Sequence, residues 1–222
     1  MDLSHPEYVI LGENRARILH RLAVLSEPAS GRRIHDLSGV HTLRSTQRIL
    51  DELVALGLVQ VQRIGPANAY RLNRGHLLWD PIEHILALRA TTTSAIEQTI
   101  RRATGDAIAT AAIYGSVARG EAGPQSDVDV LLLWKEHIPT DRRDAILDAL
   151  DTELRQVTGN PAQVLAITHA ELARLVAHND PLIQSLRTDG RTVTGIELNH
   201  LLSDAPTTPA NPDTTDQHHL RT

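Results

Sequence analysis

Residues 113–130 read Ile-Tyr-Gly-Ser-Val-Ala-Arg-Gly-Glu-Ala-Gly-Pro-Gln-Ser-Asp-Val-Asp-Val, and this stretch decides the fold of the C-terminal part of the chain. The apolar run 107–113 predicts a β-strand that leads directly to Gly115 and Ser116. We expect a short helix to begin there, because Ser is a favourable N-cap and Gly lets the backbone approach a ligand closely. Backbone N–H groups at a helix start, beside a Ser hydroxyl, are suited to bind phosphate.

Two aspartates follow the Gly/Pro-containing loop, at the beginning of a second predicted strand, 127–134. Asp127 and Asp129 are two residues apart, so on a strand their carboxylates point to the same face. A carboxylate within the apolar run Val-Asp-Val-Leu-Leu-Leu is costly without a partner, which makes a purely structural role for Asp129 hard to accept. Mg²⁺ commonly binds one or two carboxylates together with substrate phosphates. The pattern therefore predicts metal-assisted phosphoryl or nucleotidyl transfer.

The compound motif resembles the signature of the polymerase-β-like nucleotidyltransferase superfamily. The resemblance is carried by Gly115-Ser116, followed after ten residues by Asp127-Val-Asp129. The form Gly-Ser-x-Ala-Arg-Gly-Glu is similar to the minimal (MNT-type) branch. The resemblance covers about 106–193. It implies catalysis and binding of Mg²⁺ or Mn²⁺ by Asp127 and Asp129, with an NTP as substrate or ligand. It also implies nucleotide contacts from Gly115, Ser116, Arg119 and Ser126.

One position departs from that family pattern. The superfamily usually places a third carboxylate on a following strand, here expected at 162–167, and the polar residue on that strand is Gln163. Gln is neutral and a poorer Mg²⁺ ligand, so nucleotide binding is better supported than catalysis. Each part of the motif has an ordinary structural explanation when it is taken alone. The Gly-Ser pair could be a simple turn, Arg119 and Glu121 a solvated ion pair, and Asp127 the start of a strand.

The composition sets wider bounds. The 222 residues carry a net charge of -5. Residues 1–75 contain 10 Arg and 7 acidic residues and are therefore net positive, whereas residues 76–222 contain 12 basic and 20 acidic residues and are net negative. A basic first part suggests an anionic partner for that part alone. There is no Cys, which excludes disulfides and thiolate zinc sites. The polar residues 1–7 and the lack of a roughly 20-residue apolar run lead us to expect a soluble, cytoplasmic protein without membrane contact.

The N-terminal part predicts three helices followed by a β-hairpin. Apolar residues at helical spacing, breaker residues and two alternating runs define the elements at 14–25, 31–37, 42–56, 58–64 and 69–73. This order, with Leu53 to Val59 as the junction between helix and hairpin, resembles winged helix-turn-helix regulators of the ArsR/MarR type over about 13–73. The resemblance implies binding to double-stranded DNA as a homodimer.

In such a domain the third helix enters the major groove and the wing meets phosphate or the minor groove. Few aromatic residues are available for stacking, which also favours duplex over single-stranded nucleic acid. The alternative is a domain that serves only protein contacts, in which these side chains are ordinary surface groups. The DNA-binding candidates are His41, Thr42, Arg44, Ser45, Gln47, Arg48, Arg63 and Arg71.

The predicted architecture is an α/β (α+β) protein of two modules. We expect a winged helix-turn-helix at 1–78, a linker helix at 79–104, a small mixed-sheet nucleotidyltransferase domain at 105–200 and a disordered tail at 201–222. The linker pattern is interrupted by Thr91-Thr-Thr-Ser, where we expect its weakest point. A capping box at Thr168 and Glu171 predicts a further helix start.

Three functions remain open from the sequence. The first is a Mg²⁺-dependent transferase that moves an NMP onto a protein, RNA or small-molecule hydroxyl. The second is a transcription regulator whose nucleotidyltransferase fold only senses nucleotide, which Gln163 motivates. The third is an antitoxin-like repressor, since relatives of this domain occur in toxin–antitoxin pairs. The sequence selects neither the nucleotide, the acceptor nor the DNA target.

Overall fold

The computed structural model describes residues 1–204 of the 222. Its N-terminal unit contains four helices and a three-stranded antiparallel sheet of order β1-β3-β2. The elements are α1 (Glu7–Leu11), α2 (Glu13–Val24), β1 (Ala29–Ser30), α3 (Gly31–Ser38), α4 (Leu43–Ala55), β2 (Val59–Ile64) and β3 (Ala67–Leu72). The predicted helices and hairpin are present, and α1 and β1 are elements that the sequence did not indicate.

Apolar side chains of the three longer helices form the core of this unit. Ile18, Leu19, Ile34 and Leu50 are fully buried, and Tyr70 on β3 closes the cluster. Helical spacing on α2 and α4 places these residues on one face of each helix. The Gly65-Pro66 turn joins β2 to β3, with Ile64 paired to Ala67.

Two helices rather than one connect the units. Helix α5 spans Trp79–Leu86 with Ala87 as its C-cap, and helix α6 (Leu88–Thr104) begins at the next residue. The prediction of a single helix was wrong, and the break lies at Ala87 rather than at Thr91 to Ser94. The hydroxyls of Thr91 and Thr92 donate to the carbonyl of Leu88, at 3.1 and 2.7 Å, and these threonines lie inside α6.

The C-terminal unit is a four-stranded mixed sheet of order β6-β5-β4-β7 covered by helices on both faces. Strands β5 and β6 are parallel, and the other pairs are antiparallel. Its elements are β4 (Ile108–Ile113), α7 (Gly115–Arg119), β5 (Val128–Trp134), α8 (Thr140–Thr158), β6 (Ala162–Ile167), α9 (His169–Ala177), α10 (Pro181–Asp189), β7 (Arg191–Gly195) and α11 (Leu198–Asp204).

Helices α6 and α8 cover one face of this sheet, through Ile96, Ile100 and Leu150. Helices α9, α10 and α11 cover the other face. The predicted capping box is confirmed, because Thr168 accepts from the Glu171 backbone while the Glu171 carboxylate accepts from the Thr168 backbone. Central strand β5 is buried on both faces, which explains its nearly continuous apolar sequence.

Both ends of the described chain pack on this unit. Leu3 belongs to its core, and the Ser4 backbone N–H donates to the Ala122 carbonyl at 3.1 Å. The tail was predicted to begin at 201, but residues 201–204 continue α11 and Leu202 is buried. The remainder of the predicted tail, 205–222, lies outside the described residues. Within residues 1–204, no helix combines the length and apolar character required to cross a membrane.

Candidate nucleotide and metal site

The turn between β4 and α7 brings Gly115 against Asp129 on the neighbouring strand. Gly115 has φ +70°, and a Cβ placed there would lie 3.1 Å from Asp129 Cγ, with one carboxylate oxygen closer still. The Tyr114 backbone N–H donates to the Asp129 carbonyl at 3.1 Å, which extends the pairing of β4 and β5 into the turn. Only Gly combines this backbone conformation with this lack of a side chain.

The start of α7 differs in one detail from the expectation. The residue at the N-cap is Tyr114, whose side chain makes no capping hydrogen bond, and Ser116 is already the second helical residue. The Ser116 hydroxyl therefore does not cap the helix. Because α7 ends after five residues, at Gly120 in the left-handed conformation, the chain turns away immediately into the loop that carries Asp127.

Asp127 and Asp129 differ in exposure, and the charge of Asp127 acts on the Asp129 carboxyl. Asp127 is exposed one residue before β5, whereas Asp129 is half-buried within the strand. Burial raises the pKa of the Asp129 carboxyl above its ordinary value, and the negative charge of Asp127 raises this pKa further. Arg119 lowers the pKa, and Asp189 raises it again. The net anionic surroundings suit a cation, because a bound positive charge would remove the repulsion between the carboxylates.

Arg119 is held by two acidic partners. Its Nε donates to Glu121 at 2.8 Å, and its guanidinium also pairs with Asp189, whose side chain is only 7% exposed. The Ser185 hydroxyl donates to the second oxygen of Asp189 at 3.3 Å. Glu121 and Asp189 raise the pKa of Arg119 through these hydrogen bonds. A phosphate at Arg119 would therefore compete with two carboxylates.

Ser126 contributes to the loop through both its hydroxyl and its carbonyl. The hydroxyl accepts a hydrogen bond from the Gly123 backbone at 2.9 Å, and the carbonyl accepts from the Asn160 side chain at 2.8 Å. Asn160 lies in the sequence Gly-Asn-Pro, which is typical of a turn and gives no sign of this contact. Its role at the loop becomes visible only when the end of α8 is placed beside residue 126.

Gln163 is the register partner of Asp129 on the adjacent parallel strand. Paired residues of parallel strands share a face of the sheet, so Gln163 lies where a third carboxylate would complete the acidic set. It is exposed. Across residues 1–204, no group of three or more His, Cys, Asp or Glu side chains has an arrangement that could hold a metal ion. The two carboxylates Asp127 and Asp129 nevertheless fit the usual protein share of a Mg²⁺ site.

The DNA-binding candidates fall into two groups. Thr42 is the N-cap of α4 and accepts from the Ser45 backbone, while Gln47 and Arg48 are engaged within the N-terminal unit. The Gln47 amide donates to the Tyr70 hydroxyl at 2.7 Å, and Arg48 pairs with Glu52 at 2.6 Å.

The second group consists of exposed arginines. Arg44 on α4, Arg63 on β2 and Arg71 on β3 are exposed and form no ion pair within the described part of the chain. The Asp51 and Glu52 carboxylates accept from the Gln47 and Arg48 side chains.

Two solved structures and one family model resemble parts of this chain. A solved structure described as a toxin–antitoxin with AMP-PNP shares 17% identity, covers 49% of this chain and 82% of its own, and has a TM-score of 0.35. A mutant of the toxin–antitoxin MntA–HpeT with two Asp-to-Glu substitutions shares 12% identity, covers 49% and 79%, and has a TM-score of 0.34. No curated protein matches the sequence. Residues 94–179, which include Gly115, Asp127 and Asp129, match the family model of the nucleotidyltransferase domain.

Proposed function

We propose that this protein transfers an NMP from an NTP to an acceptor hydroxyl of a protein, an RNA or a small molecule, in a reaction that depends on Mg²⁺ or Mn²⁺. The observation that carries the proposal is the pair Asp127 and Asp129 beside Gly115, within a region that matches a nucleotidyltransferase domain. The half-buried Asp129 carboxylate in the apolar strand β5, close to the negative charge of Asp127, lowers the stability of the fold. Binding of a cation would offset that cost.

Each residue has a role in this proposal. Asp127 and Asp129 hold the divalent ion, which when bound neutralises phosphate charge and polarises the phosphoryl group. Gly115 and Ser116 let the triphosphate approach the backbone, and Arg119 exchanges a carboxylate partner for a phosphate. The acceptor oxygen forms a bond to the α-phosphorus while the bond to the bridging oxygen breaks and pyrophosphate leaves. The acceptor hydroxyl loses its proton to solvent in this step.

The test is transfer of label from each α-labelled NTP, with Mg²⁺ or Mn²⁺, to the protein itself and to RNA and protein extracts. Asp127→Ala/Asp129→Ala is expected to lose transfer. Asp144→Ala/Asp148→Ala is the matched control, because these two aspartates are exposed on α8 and form no ion pair in residues 1–204. Equal transfer by the parent and the Asp127/Asp129 variant would refute the assignment.

We further propose that the N-terminal unit is a winged helix-turn-helix that binds double-stranded DNA as a homodimer. The support is the order of helices and hairpin together with the exposed arginines Arg44, Arg63 and Arg71, which have no ion-pair partner among residues 1–204. Arg44→Ala/Arg63→Ala should weaken duplex binding. The slope of log affinity against log salt concentration should also become shallower, by the amount expected for the loss of about two phosphate contacts.

The DNA proposal has a matched charge control. Lys135→Ala/Arg174→Ala removes the same charge from exposed side chains of the C-terminal unit that form no ion pair within residues 1–204, and should leave DNA affinity unchanged. Light scattering of the full chain tests the homodimer. Equal DNA affinity of both double variants would count against the winged-helix proposal.

A second function is favoured by Gln163. If the missing third carboxylate abolishes transfer, the C-terminal unit would bind nucleotide without consuming it and regulate DNA binding. The test is DNA affinity at fixed salt with and without ATP and Mg²⁺. An unchanged affinity would remove the sensing function.

A further inference from the structure

The loop that carries Asp127 is anchored from the end of helix α8. Asn160 follows α8, is 1% exposed, and directs its side-chain amide into the space beneath the loop. Its Nδ2 donates to the Ser126 carbonyl at 2.8 Å and to the Met1 carbonyl at 3.1 Å. Both donor hydrogens of the amide are therefore used, as expected for a buried polar side chain.

The position of Asn160 is itself fixed by a second buried polar group. Its backbone N–H donates to the Thr158 hydroxyl at 3.0 Å, and that hydroxyl donates to the Leu154 carbonyl at 2.7 Å. The last turn of α8 therefore fixes the backbone at Asn160. An amide held in this way has little freedom to follow a moving loop, so the loop must conform to it.

The residues on both sides of Asp127 are bonded to consecutive residues of this turn. The Ser126 carbonyl accepts from Asn160, and the Val128 backbone N–H donates to the Pro161 carbonyl at 2.9 Å. The peptide segment that carries Asp127 is thus clamped at each end, while the Asp127 side chain remains exposed. The Pro161 contact continues into the pairing of β5 with β6. The Asn160 contact joins the loop just before the strand to the end of α8, whereas Gly123 and Ser126 bond to each other only within the loop.

We propose that Asn160 is a positioning residue for Asp127: its amide fixes the Ser126–Asp127 peptide and thereby sets the distance of the Asp127 carboxylate from Asp129. The inference rests on the proposed role of these two aspartates as a divalent-cation pair. Outer partners that orient metal ligands commonly contribute 10- to 100-fold in metal affinity. Without the Asn160 donors, the Ser126 carbonyl is left without its buried partner and the loop relaxes toward solvent.

The test compares Asn160→Leu with Thr104→Val in the full chain. Asn160→Leu keeps the branched side-chain shape, although Leu is larger, and removes both amide donors together with the Oδ1 that accepts from the Met1 ammonium at 2.6 Å. Thr104→Val likewise removes a buried donor, since Thr104 is 2% exposed and its hydroxyl donates to Ile100, at the end of α6. The measurements are Mn²⁺ affinity by electron paramagnetic resonance, hydrogen exchange of peptides covering 122–130, and the melting temperature.

Asn160→Leu is expected to weaken Mn²⁺ binding by about tenfold and to speed exchange in 122–130. Thr104→Val should lower the melting temperature without either effect. Parental Mn²⁺ affinity and parental exchange in a folded Asn160→Leu protein would overturn the inference. If Asn160→Leu does not fold, Asn160→Ala is measured in its place. The inference then also requires that Mn²⁺ slow the hydrogen exchange of residues 122–130 in the parent.

The inference and the proposed function fail in different ways. A parent that binds Mn²⁺ through Asp127 and Asp129 but transfers no label contradicts the enzyme, while the Asn160 effect on Mn²⁺ affinity still stands. A parent with transfer activity and an Asn160→Leu variant of equal Mn²⁺ affinity contradicts only the positioning role. A parent without any Mn²⁺ binding contradicts both.

Discussion

Substitution of Gly115 by Ala tests whether the Asp129 carboxylate lies against this residue as the structure shows. Two costs combine at this position. A non-glycine residue at φ +70° costs about 1–2 kcal/mol, partly offset by the lower entropy of the unfolded chain. The new methyl group would also lie 3.1 Å from Asp129 Cγ and 3.5 Å from its Cβ, an overpacked contact that costs about 1–3 kcal/mol.

Gly120 offers a control with the same backbone and none of the crowding. Its φ is +71°, and a Cβ placed there meets no atom within 4 Å. Gly120→Ala therefore measures the backbone cost alone, about 1 kcal/mol, whereas Gly115→Ala should cost about 2–4 kcal/mol. At roughly 2–4 °C per kcal/mol for a chain of this size, the two variants should differ in melting temperature by several degrees.

A double-mutant cycle assigns the difference to the carboxylate. In the Asp129→Ala background the carboxylate is gone and only an ordinary 3.5 Å contact with Cβ remains, so Gly115→Ala should then cost about the same as Gly120→Ala in the parent. The expected coupling between Gly115 and Asp129 is about 1–3 kcal/mol, measured by denaturant unfolding of all four proteins. Equal costs for Gly115→Ala and Gly120→Ala in the parent would refute the packing of Asp129 against the turn.

Three further substitutions probe the charges of the site. Because the pKa of Asp129 is raised in the folded chain, ionisation of this carboxyl lowers the stability of the fold as the pH rises through that pKa. In EDTA at pH 7, Asp129→Asn should therefore have a higher melting temperature than the parent, and the two melting temperatures should converge as the pH falls toward about 4. Arg119→Ala should lower the melting temperature because it leaves the nearly buried Asp189 carboxylate without its cation, and adding Asp189→Asn should restore part of the loss. Gln163→Asp should lower the Mn²⁺ concentration needed for half-saturation while changing the melting temperature little, since residue 163 is exposed; weaker Mn²⁺ binding would place residue 163 outside the cation site.

Local patterns predicted most of the C-terminal elements to within a residue or two. The apolar runs predicted strands at 107–113 and 127–134, and the structure has Ile108–Ile113 and Val128–Trp134. Strand Ala162–Ile167 and the Thr168 capping box were predicted as observed, because both follow from neighbouring residues alone.

The features that sequence did not predict depend on contacts between distant residues. Helix α5 ends at Leu86 and its C-cap is Ala87, a residue with high helix propensity, so nothing in the local sequence marks the break. Leu3 packs in the C-terminal core although more than 90 residues separate it from the first of the C-terminal strands. Asn160 acts on Ser126 across 34 positions, and its short polar side chain in a turn carries no sequence signal of that contact.

The charge balance of the site restricts what it can bind. Asp127, Asp129 and Asp189 contribute three carboxylates, and the guanidinium of Arg119 is already shared between Asp189 and Glu121. A nucleotide alone would bring further negative charge to this surface, so we expect ATP to bind only together with a divalent ion, whether the protein is an enzyme or a sensor. Calorimetry of ATP binding with Mg²⁺ and with EDTA measures this dependence. Equal affinity in EDTA would mean that Arg119 and backbone donors dominate the site, and that the two aspartates serve another purpose than holding a cation.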